Sequence, residues 1–82
     1  MHYARNPKVL WRSTSRGPVL LAPGYDHPER LGGVPAVVWE VLEDPMSPAD
    51  VALAVSAIFD SVEGIDRALE GLETAGLLVT TS

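Results

Sequence analysis

Two adjacent glycines, Gly32 and Gly33, divide the chain into two parts with different hydrophobic periodicity. Before them, apolar residues alternate or form short runs, which is typical of strands. After them, apolar residues recur every three or four positions, which is typical of helices. The chain has 82 residues and no cysteine, so one hydrophobic core must support the fold without disulfides. We therefore predict a single α+β domain over residues 1–82, with the sheet first and the helices second.

The part before the glycines contains three predicted strands. Residues 8–14 alternate between apolar and polar side chains, as in a strand with one buried face. Residues 19–22 form a short apolar run that is typical of a central strand. Residues 27–31 form a third strand. Because Pro28 has no amide donor, we expect this strand to lie at an edge or to begin at the proline.

The part after the glycines contains three predicted helices. The first covers residues 35–44 and has one valine-rich face. We expect Trp39, off this face, and Trp11 to belong to the core, with a role as ligand anchor as the alternative for either. The second covers residues 47–59, with Ser47 as its N-cap. Its predicted buried face is Val51, Val55, Ile58 and Phe59. The third opens at Asp60 and ends at Gly76, a residue type common just past a helix. The apolar residues that follow form either a short closing strand or a packed tail.

The predicted third helix has three faces: one apolar, one acidic and one with only small side chains. In that order the faces are Val62, Ile65, Leu69 and Leu72; Glu63, Asp66, Glu70 and Glu73; and Gly64, Ala68, Gly71 and Ala75. Each glycine inside a helix costs about 1 kcal/mol relative to alanine, so the small face needs a reason. It either packs closely against another helix or forms the floor of a shallow groove for a peptide. The acidic face either only solvates the helix or attracts a basic ligand.

The charge and the hydropathy pattern limit the location and the partners. The net charge is −5, whereas nucleic-acid binding needs clustered Lys and Arg. No segment approaches the roughly 20 apolar residues of a membrane span, and the N-terminal residues lack the apolar run of a signal peptide. We therefore expect a cytoplasmic protein that binds neither nucleic acid nor membrane, which also suits a chain without cysteine.

No combination of residues in the sequence supports catalysis. There is no glycine-rich phosphate loop, and the serines lack a nucleophile-elbow context. His2 and His27 are far apart and have no partners at metal-ligand spacing. We expect a binding module without enzymatic activity, with no catalytic residue, no metal site and no cofactor.

Four segments, through their order and spacing, resemble the PqqD-like family. They are Leu-Leu-Ala-Pro at 20–23, Leu-Gly-Gly at 31–33, Val-Trp-Glu-Val-Leu at 38–42, and the Val-x-x-Ile-Asp-x-x-Leu-x-x-Leu-x-x-x-Gly-Leu-Leu-Val pattern at 62–79. The resemblance covers residues 9–79 and lies mostly at core positions. The proline- and glycine-rich residues 22–28 depart from the plainer hairpin of relatives. The resemblance implies a winged helix-turn-helix-like fold, a three-stranded antiparallel sheet followed by three helices.

The resemblance also implies a function and a site. PqqD-like domains are RiPP recognition elements, which bind the leader of a ribosomally made precursor peptide. The leader adds as a strand to the third strand and lies in the groove against the third helix. The residues that would bind it here are His27, Pro28, Glu29, Arg30, Leu31, Val62, Ile65, Asp66, Leu69, Leu72 and Glu73. Asp66 and Glu73 would meet basic leader residues.

A free-standing domain of this length looks like the small partner in lasso-peptide biosynthesis. There, a separate cysteine-protease-type leader peptidase and an asparagine-synthetase-like cyclase act on the delivered precursor. PqqD itself and adaptors of other peptide pathways are alternatives. Two further readings share the topology: a winged-helix DNA-binding protein and a structural adaptor that dimerises through its edge strand. The predicted second helix contains no Lys or Arg, which disfavours the DNA-binding alternative.

Overall fold

The computed structural model describes residues 1–59 and 63–81. In these residues five strands form two antiparallel sheets, and three helices pack beside them. In chain order the elements are β1 (His2–Arg5), β2 (Leu10–Thr14), β3 (Gly17–Leu21), β4 (Glu29–Arg30), α1 (Gly33–Val41), α2 (Pro48–Ser56), α3 (Ile65–Thr74) and β5 (Leu78–Thr81). The predicted α+β class is confirmed. The predicted single sheet is incomplete, because β1 and β5 form a second one.

The three predicted strands form one sheet in the order β2-β3-β4. As predicted from Pro28, β4 begins directly after the proline and lies at the edge of this sheet. Gly17 allows the end of β4 to approach the β2–β3 hairpin, because a Cβ at this position would lie 2.7 Å from the carbonyl oxygen of Leu31. Its φ of +113° also disfavours any residue with a side chain. Position 17 therefore requires glycine.

The second sheet pairs the two ends of the described chain. His2 lies opposite Thr81 and Arg5 opposite Leu78. Tyr3 exchanges both backbone hydrogen bonds with Met46, at 2.8 and 3.0 Å. Of the two alternatives for the last residues, the closing strand is the one observed. β1 was not predicted, because four residues with a single large apolar side chain, Tyr3, give no readable alternation.

The second helix begins as predicted and ends early. Ser47 caps it, with its Oγ accepting a hydrogen bond of 3.1 Å from the amide of Asp50. The helix ends at Ser56 rather than continuing to residue 59. The expected burial of Ile58 is wrong, because beyond the helix end its side chain is 60% exposed. Phe59 is half-buried against the core.

The third helix is shorter than predicted at its start and ends where predicted. It begins at Ile65, directly after Gly64, whose left-handed backbone cannot form part of a helix. The expected cap Asp60 and the expected site residue Val62 lie outside the described residues. At the other end Gly76, with a φ of +81°, allows two reversed hydrogen bonds to the last turn. These bonds, from the amides of residues 76 and 77 to the carbonyls of residues 73 and 72, form a Schellman motif.

One core connects the two sheets and the three helices. Its least exposed large side chains are Trp39, Leu20, Leu42, Leu69, Leu78, Val38, Val51 and Val55. Trp39 is fully buried, as predicted. Trp11, also expected in the core, remains 38% exposed and contacts Trp39 edge-on, with ring centroids 5.6 Å apart. No helix in residues 1–59 and 63–81 is long and apolar enough to cross a membrane.

Candidate functional site

A groove lies between β4 and α3. One wall comes from the strand and the start of α1, and the other comes from α3. Its lining residues are Glu29, Leu31, Pro35, Gly64, Arg67, Ala68, Gly71, Leu72, Ala75 and Leu77. We call this surface the β4–α3 groove. Its lining is mainly apolar, with Glu29 and Arg67 as its charged members.

The β4–α3 groove continues into a smaller hollow. Glu29, Ala75 and Leu77 line both spaces. The hollow has a volume of about 110 Å³ and is also lined by Leu20, Ala22, Tyr25 and His27. Together the groove and the hollow form one continuous depression that follows β4 along its length.

The small face of α3 forms the floor of the groove. Among residues 1–59 and 63–81, nothing lies within 4 Å of a Cβ built on Gly71, apart from its chain neighbours and the backbone of its own helix. Ala68 and Ala75 line the same depression. Of the two alternatives for this face, close packing against another helix does not occur at Gly71. The glycine instead keeps the floor low and open.

The outer edge of β4 offers backbone groups for pairing. β3 bonds one side of β4, with Val19 opposite Arg30 and the Leu31 amide donating to the Pro18 carbonyl at 2.9 Å. In an antiparallel pair, bonded and non-bonded positions alternate. Since residue 31 bonds toward β3, the N–H and C=O of Arg30 point away from it. An added strand would meet these two groups first.

The five predicted site residues on the strand side lie on two faces of the sheet. His27 lines the hollow, Leu31 lines the groove, and Glu29 lines both. Pro28 lies on the opposite face, in a shallow depression beside β2. Arg30 lies opposite Val19 in the sheet register, so its side chain shares that opposite face. Only the backbone of Arg30 belongs to the groove side.

The predicted site residues on α3 are also divided. Leu72 lines the groove while remaining only 5% exposed. Ile65 and Leu69 are buried in the core, at 3% and 1% exposure, and do not line the groove. Asp66 and Glu73 are exposed and lie outside the groove lining. The α3 wall therefore consists mainly of the small face, not of the apolar face.

The acidic face of α3 turns toward β1. Burial raises the pKa of the Tyr3 phenol, and the negative charges of Glu73, Glu70 and Asp66 raise it further. Since Tyr3 belongs to β1, these carboxylates lie on the flank of α3 that faces the second sheet. They are not placed to meet a ligand that follows β4.

Several groove residues were not among those predicted. Arg67 is the only cationic residue that lines the groove within the described part of the chain. The helical wheel contains the signal for Arg67, since this residue precedes Gly71 by four positions and so lies at the border of the small face. Pro35, Tyr25 and Leu77 come from three separate segments. No local pattern in the sequence brings those segments together.

The described residues provide no site for a metal ion. Within residues 1–59 and 63–81, no group of three or more His, Asp or Glu side chains is arranged to hold one. No protein-family model, curated protein or solved structure matches the chain.

Proposed function

We propose that this chain is a leader-peptide-binding module of the PqqD-like, RiPP-recognition-element type. The observation that carries the proposal is the open β4–α3 groove, where no described residue pairs with the outer edge of β4 or covers the helix face at Gly71. A peptide would lie along β4 as an added strand, with side chains directed alternately into the groove and away from it. The module would bind the peptide without catalysing a reaction and would present it to an enzyme.

The order of the elements supports this type. A three-stranded antiparallel sheet precedes three helices, and this is the order of a winged helix-turn-helix-like domain with its sheet first. β1 and β5 add a second sheet to that arrangement. In the proposed setting the ligand is the leader of a lasso-peptide precursor. A cysteine-protease-type leader peptidase and an asparagine-synthetase-like cyclase would then act on it.

Backbone pairing alone is too weak to hold the peptide. β4 has only two residues, and two outward groups at about 1 kcal/mol net each give about 2 kcal/mol. Association costs about 4–15 kcal/mol of lost translational and rotational freedom. Large apolar side chains, each worth about 2–3 kcal/mol when buried, must supply the difference. The hollow and the groove are the places where they would be buried.

The charges in the groove favour a different ligand pattern from the one expected from the sequence. Asp66 and Glu73 lie outside the groove, whereas Arg67 and Glu29 line it. We therefore propose that an acidic residue of the peptide lies near Arg67 and that a basic one, if present, lies near Glu29. Exposed pairs of this kind contribute up to about 1 kcal/mol and weaken with salt.

Gly71→Leu tests the proposal, because the binding and the stability of the module should change in opposite directions. Leucine is a better helix former than glycine by nearly 1 kcal/mol, and the space above Gly71 is open. The thermal midpoint should therefore rise. The same side chain fills the groove, so affinity for a fluorescein-labelled candidate leader peptide should fall by about tenfold or more, roughly 1.4 kcal/mol.

The matched control is Glu70→Leu, which adds the same side chain one residue earlier, outside the groove. It should keep the affinity of the unmodified protein in the same fluorescence-anisotropy titration. If folded Gly71→Leu binds the leader as tightly as the control does, the groove is not the peptide site.

The unpaired edge of β4 also favours one second candidate, an adaptor that dimerises edge to edge. Sedimentation with and without the leader separates the two, because a leader that occupies the edge must dissociate such a dimer. A DNA-binding role is disfavoured by the exposed carboxylates of α3, among them Asp66, Glu70 and Glu73. A gel shift with random duplex DNA tests that role directly.

A further inference from the structure

The face of the three-stranded sheet that points away from the core carries an apolar strip. Residues directly opposite each other in neighbouring strands point to the same side. Leu10 lies opposite Leu21, and Arg12 and Arg30 lie on either side of Val19. Leu10 is 70% exposed, and Val19 and Leu21 are half-buried. We call these five residues the outer sheet face.

The three-stranded sheet and the residues that flank its strands hold most of the positive charge. The chain has six Lys and Arg residues. Arg5 is bonded to the end of α1, and Arg67 lines the groove. The other four all lie in the sheet or beside it, at Lys8, Arg12, Arg16 and Arg30, and all four are exposed.

The acidic residues are distributed in the opposite way. Residues 8–31 contain the four cations and only two carboxylates, Asp26 and Glu29, whereas the remainder contains two cations and nine carboxylates. Glu29 lines the groove on the other side of the sheet. The outer sheet face is therefore a cationic, apolar-centred surface on a molecule of net charge −5.

The chemistry of this face restricts what can cover it. A second copy docked face to face would bring Arg12 and Arg30 against equal charges, which opposes association. A phosphate backbone would pair with the cations but would give Leu10 and Leu21 no apolar partner. A protein surface with apolar side chains at its centre and carboxylates at its border satisfies both parts of the face.

We infer that the outer sheet face docks a protein partner whose contact patch is apolar at its centre and bordered by Asp and Glu. The face lies on the opposite side of the sheet from the β4–α3 groove, so both surfaces can be occupied at once. The inference goes beyond peptide binding and does not depend on it. A module that holds a peptide on one side and a protein on the other brings the two together.

The test uses a designed probe, a fluorescein-labelled helical peptide with leucines on one face and glutamates along both borders. Its matched control has lysine in place of every glutamate. At low salt we expect the acidic peptide to bind at least about tenfold more tightly than the lysine peptide. Random duplex DNA and phosphatidylserine vesicles are titrated in parallel.

Arg12→Glu and Leu10→Glu should each weaken the acidic peptide by about tenfold or more, while the leader titration stays unchanged. Both side chains are exposed, so the thermal midpoint should change little. Glu70→Lys, on the far flank of α3, serves as the control and should keep the affinity. The inference is overturned if the acidic peptide does not bind, if the lysine peptide binds equally well, if neither variant changes the affinity, or if DNA or vesicles bind more tightly. Loss of leader binding alone would leave it standing.

Discussion

Arg5 connects the end of β1 to the end of α1. Its Nε and Nη2 donate hydrogen bonds of 2.9 and 2.7 Å to the carbonyl oxygen of Trp39, and Nη2 also donates to that of Glu40. Carbonyls in the last turn of a helix have no partner inside the helix, and a positive charge there is favourable. The guanidinium also lies 4.6 Å from the ring centroid of Trp11 and 4.9 Å from that of Trp39.

Arg5→Lys should lower the free energy of unfolding by about 1–2 kcal/mol, because lysine keeps the charge but loses the planar fork and the stacking. Urea denaturation followed by tryptophan fluorescence measures this change. Arg16→Lys, in the exposed β2–β3 loop, is the matched control and should leave the denaturation midpoint in place. Equal midpoints for the two variants would show that Arg5 contributes only its charge.

Single residues were predictable from the sequence where their partners are near in the chain. Ser47 and Gly76 act within one helical turn, so the local pattern was sufficient for both. The role of Arg5 depends on a carbonyl 34 residues away, and no spacing rule reaches that far. The exposure of Ile58 was missed for the opposite reason, because its helical periodicity continues past the point where the helix ends.

At the scale of elements, α3 shows what a helical wheel determines and what it leaves open. For the predicted face residues from Ile65 onwards, the wheel correctly separated the apolar, acidic and small faces, whereas Glu63 and Gly64 lie before the helix. It did not determine which face borders β4, because that depends on how α3 packs against α1 and β5. The peptide contacts were therefore assigned to Ile65 and Leu69, which are buried. The groove floor is instead Gly71 and its small neighbours.

The edge of β4 is tested by Arg30→Pro. The proline removes the N–H that points outward, so leader affinity should fall by about fivefold to tenfold, near the 1 kcal/mol of one hydrogen bond. The matched control is Arg30→Ala, which removes the same side chain but keeps the N–H. Anisotropy titrations of both variants against one labelled leader measure the difference.

Glu29→Pro is expected to act differently from Arg30→Pro. By the alternation along β4, the amide of Glu29 points toward β3, so proline there would weaken the sheet itself. A lower thermal midpoint for Glu29→Pro than for Arg30→Pro would agree with this orientation. If Arg30→Pro and Arg30→Ala bind the leader equally well, strand addition at this edge is wrong.

In the folded molecule, the acidic face of α3 lies close to Tyr3 of β1. Burial and the neighbouring carboxylates raise the pKa of Tyr3 in the folded protein above its ordinary value of 10.0. A folded-state pKa that is raised means that the neutral phenol stabilises the fold. This stabilisation is complete below the unfolded pKa, near pH 10, and is lost as the pH rises through the raised folded pKa.

The free energy of unfolding should therefore fall more steeply above about pH 10 in the unmodified protein than in Tyr3→Phe, which has no phenol to ionise. Urea denaturation from about pH 8 to about pH 12 measures both slopes. After burial, the charge of Glu73 is the largest cause of the raised pKa of Tyr3. In Glu73→Gln this pKa is raised less, so the fall should still begin near the unfolded pKa but should be smaller and end at a lower pH. Parallel curves for the unmodified protein and Tyr3→Phe would contradict the stated environment of Tyr3.

The pairing of β1 with β5 has a consequence for the order of assembly. His2 and Thr81 are partners although nearly the entire chain lies between them, whereas β2 and β3 are joined by two residues. The entropy lost on closing a loop grows with its length, so distant pairs form late unless other contacts have already brought them together. The hairpin can close on a microsecond timescale by itself. We therefore expect the β1–β5 sheet to form last, after the packing of the three helices has brought its two strands close together.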